Sequence, residues 1–167
     1  MSIHDGAQLS QAIRKKAGEF SRLTEGIDEN TASRAPSDRW SPKQIVSHLC
    51  GSERAGFMPA IRAFLDKETP LIDIIAEDPF FTENRSRMTL TQLLSEFEGE
   101  YGGIADLIAG LSNKQLGRRA HVPLFKDTPM GEYPTLADFV SGLEWHIGFH
   151  IDHMKEILQA LGVATKS

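Results

Sequence analysis

The sequence predicts an all-α protein, a four-helix bundle. Three observations carry that expectation. Four stretches of roughly 20 residues repeat apolar side chains at helical spacing, separated by loops rich in Pro and Gly. Two of them open with a capping-box pattern. No stretch alternates apolar and polar residues as a half-buried strand does, although short strands within the loops stay open.

The first helix is expected from about Gln8 to Ile27, with Leu9, Ile13, Ala17, Phe20 and Leu23 or Thr24 on one face. The second begins at Ser41. There Ser41 is the N-cap, Pro42 takes the first helical position and Gln44 completes a capping box. Ile45, Val46, Leu49, Phe57, Ile61, Phe64 and Leu65 extend it to about Lys67. Pro59 falls inside this run, so a kink or break is expected near Gly56 to Pro59.

A connection from Glu68 to Met88 follows, with Pro70, Pro79 and the pair Phe80-Phe81. The third helix starts at Thr89, where Gln92 repeats the capping box, and ends near Gly110. Gly102-Gly103 weakens its middle. A second long loop, Ser112 to Pro134, carries Arg118, Arg119 and His121. The last helix runs from Thr135 to about Leu161, with Gly162 as its stop. Loops this long are crossovers or functional lids, not the tight turns of an up-and-down bundle.

Length and composition bound the function. At 167 residues one domain spanning 1–167 is expected. Hydrophobic residues make up 40% and charged residues 25%, too apolar for a disordered chain. A net charge of −5 and a sequence pI near 5.7 give no basic footprint for nucleic acid or anionic membrane. No signal-peptide pattern and no run long enough to cross a membrane stand out, so a cytoplasmic location is expected. Cys50 is the single cysteine, which rules out an internal disulfide and a Cys-rich zinc site. It reads as a small buried residue, not a nucleophile.

The histidines hold the chemical interest. His146 and His150 lie one turn apart on the last helix, a spacing at which two imidazoles can grip one ion. Counting about 100° per residue, His150 sits about 30° from the centre of the apolar sector, His146 about 70° and His153 about 90°. The first two face inward and His153 stands on the boundary, as a third ligand, a supporting group or a surface residue. His48, between Ile45 and Leu49, is the candidate from a facing helix. Three neutral nitrogens with open positions suit Zn²⁺, Ni²⁺ or Fe²⁺ better than Mg²⁺ or Ca²⁺. The plain alternative is that all three are hydrogen-bonded core residues. Arg118-Arg119 reads as a solvated pair, and Phe57, Phe80 and Phe81 as core. His4 is left to a disordered N-terminus and His121 has no assigned role.

The stretch Arg39-Trp40-Ser41-Pro42-Lys43-Gln44-Ile45-Val46-Ser47-His48-Leu49 resembles the signature of the DinB-like superfamily: Trp-Ser, a polar and aliphatic run, then His-Leu. Ser52-Glu53-Arg54 is similar to its continuation in one branch. Thr135-Leu136 followed by His146 and His150 resembles the family's second half. The resemblance covers about residues 8 to 161. It implies a four-helix bundle of crossed, not simple up-and-down, topology, often a homodimer. It implies a divalent ion, zinc or nickel, on His48, His146 and His150. It also implies a small-molecule substrate and, in some members, S-transfer or isomerisation that uses a low-molecular-weight thiol such as bacillithiol or mycothiol. Other members have no known activity, and the family name implies no DNA binding. One departure leaves the register open: His153, not His150, precedes the Met-Lys-Glu-Ile run. With His153 as last ligand, Phe149 would take the preceding ligand position, and it cannot ligate. His146 and His150 are therefore the preferred pair, with His153 as the alternative or extra ligand. A non-enzymatic bundle with a structural or vestigial metal is the competing class.

Overall fold

The computed structural model describes residues 5–53 and 55–164; His4 and Arg54 lie outside them. Helix α1 spans Gly6–Thr24. It starts earlier than expected because Asp5 and Gln8 form a capping box, with the Gln8 N–H 2.8 Å from Asp5 Oδ1. It also stops before Ile27, and Gly26 then takes a left-handed φ of 83°. The short helix α2, Glu29–Ala32, follows. Its Glu29 carboxylate meets Lys43 Nζ at 2.8 Å and accepts the Leu90 N–H at 2.5 Å.

Helix α3 spans Pro42–Cys50, capped as the sequence predicts by Ser41 and Gln44. The expected single run to Lys67 is broken, and the break comes earlier than Pro59. Gly51 ends α3 at φ 74°, a conformation that costs residues with a Cβ. A Cβ there would also meet Gly56 Cα and the Phe57 ring at 3.2 Å. Helix α4, Met58–Asp66, then starts with Pro59 in its first turn, where a missing N–H costs nothing. Arg118, expected to be solvated, instead caps the end of α4: its Nε donates to the Phe64 carbonyl at 2.6 Å and its Nη2 to that of Lys67 at 2.8 Å.

Helices α5, Glu83–Ser86, and α7, Asn113–Leu116, are single turns within the long loops. Helix α6 spans Leu90–Ala109, capped by Thr89 and Gln92, and continues through Gly102-Gly103. Helix α8 spans Leu136–Ala160, capped by Thr135 and Asp138. Among the described residues the loops form no strands but two isolated bridges: Leu71 with His121, which joins the two long connections, and Arg119 with Thr135, which ties the second connection to the start of α8.

The core is one cluster running through all four long helices. α1 packs against α6 and α8, and α3 packs against the same two. Chain neighbours α1 and α3 therefore face each other across the bundle, as do α6 and α8. This arrangement sets α3 beside α8, which brings the second and last long helices of the chain into contact. No helix is long and apolar enough to cross a membrane.

Candidate metal centre

The α3–α8 seam carries the histidines. His48 sits two turns into α3, between Ile45 and Leu49, which are fully buried. His150 lies among the buried residues of α8 and His146 one turn before it is half-buried. His48 and His150 are 6% and 5% exposed. The gradient of burial follows the helical-wheel expectation, with His153 half-buried at the edge.

The Nε2 atoms converge. His146 Nε2 stands 3.0 Å from His48 Nε2 and 3.1 Å from His150 Nε2, and all three ligating atoms lie within 4.8 Å of one another. His48 Nδ1 lies 2.6 Å from the Asp78 carbonyl, which can only accept, so Nδ1 carries the proton and Nε2 keeps its lone pair. A single N–H on His146 cannot point at both neighbouring nitrogens. Neutral rings thus leave a contact between lone pairs or between N–H groups unrelieved, and a cation shared by the three nitrogens relieves it. Separations of this size are those of neighbouring nitrogens around an ion at about 2.0–2.1 Å. The residues present fit a divalent transition metal.

The electrostatics keep the rings neutral. Burial lowers His48 despite its bond to Asp78. Burial and the neighbouring histidines push His146 down to about 4 and His150 to about 2. Burial, then the Arg39 charge, also lowers His153. Ligands need neutral imidazoles, and each of these shifts favours the neutral ring.

Aromatic rings wall the site. Trp40 stacks on His150 at a centroid distance of 6.3 Å and tilts against His48 at 5.0 Å. Phe80, expected in the core, stacks on His48 at 6.3 Å instead. Phe57 and Phe81 do pack against the core. Beside His150 opens a cleft of about 590 Å³, lined by Asp38, Trp40, Glu77, Phe149, Asp152 and Glu156 among others. Arg39 also borders it and pairs with Glu156 at 2.8 Å.

His153 is not part of the converging set among the described residues. Its Nδ1 lies 3.1 Å from His150 Nδ1, on the outer side of that ring. Phe149, four residues earlier, is 54% exposed. His121 lies elsewhere, 3.1 Å from Glu132 and stacked on Tyr133. Cys50 is buried, and burial raises its thiol to about 12, so it stays protonated. Sequence reasoning missed two contributors. One is the Asp78 carbonyl, a backbone group that no residue type announces. The other is Arg85, buried in the single turn α5, whose guanidinium donates to the carbonyl of Phe80, the residue that stacks on His48.

The family model described as the DinB superfamily matches residues 12–154. No curated protein matches the chain. Among solved structures the chain is similar to YfiT from Bacillus subtilis, at 21% identity and a TM-score of 0.79, covering 98% of this chain and 92% of that one. YfiT is described as a probable metal-dependent hydrolase with an unusual four-helix bundle topology. At this identity the likeness establishes the fold.

Proposed function

The chain belongs to the DinB superfamily, and on that footing we propose that it is a divalent-metal-dependent enzyme acting on a small molecule. The observation that carries the reading is the convergence of His48, His146 and His150 at one point beside a cleft. These three side chains would hold zinc or nickel. A structural site would more often be closed by four protein ligands. Here the described cluster offers three nitrogens, and the cleft borders one of the three rings, His150.

The ion would supply Lewis acidity, lowering the pKa of a thiol or a water in the cleft. The rest falls to the chain. The Asp78 carbonyl fixes the His48 ring in the tautomer that presents Nε2. Trp40 covers the His48 and His150 rings and keeps water from that side. The cleft also carries the carboxylates of Asp38, Glu77 and Asp152, groups of the kind that accept a proton. The family resemblance favours thiol-dependent transfer or isomerisation with a low-molecular-weight thiol. The likeness to YfiT, described as a probable metal-dependent hydrolase, favours a second reading in which water is the nucleophile.

Elemental analysis of the tag-free protein tests the site. About one equivalent of zinc or nickel is expected, lost in both His48→Ala and His146→Ala. No bound ion, even after incubation with Zn²⁺ and Ni²⁺, overturns the reading. Activity of the loaded protein toward electrophiles with bacillithiol or mycothiol, against hydrolysis of esters and amides without thiol, then separates the two reactions.

A further inference from the structure

The turn over residues 77–80 is shaped in a way the three histidines do not explain. Glu77 and Phe80 adopt φ values of 59° and 50°, a costly region for residues with side chains. The Asp78 side chain accepts the Phe80 N–H at 2.7 Å and closes the turn on itself. So bent, the turn aims the Asp78 carbonyl at His48 Nδ1 and lays the Phe80 ring on the His48 imidazole.

Arg85 holds this turn against α3. It is 1% exposed, a rare state for arginine. Its Nη1 reaches the Phe80 carbonyl and the Ser47 carbonyl, each at 3.2 Å, and also the Ser47 hydroxyl and the Gly51 carbonyl. The Ser47 hydroxyl donates to the same Phe80 carbonyl at 3.0 Å. Nη2 pairs with Glu96 at 3.0 Å. One guanidinium thus grips the last turn of the helix that bears His48 and the turn that orients its ring. Its Nε has no partner among the described residues. Burying an arginine with an unmet N–H is an expensive way to stabilise a loop that apolar packing could hold.

We propose that Arg85 is a positioning residue for His48. By pinning the 77–80 turn to Ser47 and Gly51, it keeps the Asp78 carbonyl on Nδ1 and so keeps the Nε2 lone pair aimed at the other two histidines. The inference rests on His48 being a metal ligand. Its core, the control of the His48 tautomer, is measurable without any metal.

The test reads the nitrogen-15 chemical shifts of the His48 ring in the metal-free protein, and the zinc dissociation constant by competition. In the wild type a single tautomer is expected, protonated on Nδ1. In Arg85→Gln both tautomers become populated and zinc binds about 10- to 100-fold more weakly. Arg85→Lys, which keeps the charge and some of the carbonyl contacts, recovers part of both. An arginine that merely stabilised the fold would lower the melting temperature and leave the tautomer alone. A folded Arg85→Gln with one His48 tautomer and wild-type affinity overturns the proposal. Should Arg85→Gln fail to fold, Ser47→Ala is read in its place, and an unshifted His48 tautomer there overturns it equally. A wild type that binds no zinc defeats the metal-site reading, while the tautomer comparison still decides the role of Arg85.

Discussion

The α1–α6 seam and the α3–α8 seam belong to one bundle and are built on opposite terms. On the facing helices α1 and α6, Ile13, Phe20, Leu93, Phe97 and Ile104 are all fully buried, and Phe20 packs on Phe97 at 4.8 Å. Apolar area and close packing hold that side together. Between α3 and α8, the places where such side chains would sit are taken by His48, His146 and His150, with nitrogens only 3.0–3.1 Å apart. That side brings three ring nitrogens together where apolar packing would otherwise run. The contrast separates the packing that holds the fold from the cluster proposed to bind a metal.

The largest effect that sharpens this contrast is Phe97→Ala. It is expected to cost about 3–5 kcal/mol in denaturant unfolding, while zinc affinity of the folded protein stays near wild type. A parallel loss of affinity would break the division. On the other seam, His146→Leu is expected to lower zinc affinity about 100-fold or more, some 3 kcal/mol, and to leave metal-free stability unchanged or higher. Titration calorimetry and unfolding of the same variant check both halves.

Acid comes next. The histidines of the α3–α8 seam have native pKa values below the ordinary 6.5, His146 at about 4. Below about pH 6.5 the unfolded chain binds protons that the native chain does not. Metal-free stability should therefore fall as the pH drops from about 6.5 toward 4, and the slope should flatten in His146→Leu. Ser41→Ala removes the α3 cap and should cost about 1 kcal/mol, with the His150 surroundings undisturbed by NMR. The smallest effect is at Cys50: with its thiol raised to about 12, alkylation of the folded protein at neutral pH should be negligible beside that of the unfolded chain.

Much of this was legible in the sequence, for identifiable reasons. The caps at Ser41 and Thr89 depend on residues three apart, so the chain shows them directly. The inward aim of His146 and His150 follows from helical spacing alone. The Gly51 break also had a signal, a glycine directly after the last turn, but the apolar pattern that resumes at Phe57 hides it. The Asp5 cap was missed because Gly6 weakens the look of a helix start. The roles of Arg85, Arg118 and the Asp78 carbonyl are set by contacts more than 30 residues away in the chain or by backbone atoms, and no local pattern encodes either. The pairing of α3 with α8 is likewise a tertiary fact: helical spacing could offer His48 as a candidate from a facing helix, and the family resemblance implied the same three ligands.

Trp40 turns the site into its own optical reporter. The protein has two tryptophans. Trp145 stands 67% exposed on α8, whereas the Trp40 indole lies against the rings of His48, His150 and His153. Emission from the two rings should therefore differ in colour, Trp145 to the red and Trp40 to the blue. A paramagnetic Ni²⁺ or Co²⁺ ion seated among the histidines would dim the blue component, so occupancy can be followed in the unlabelled protein.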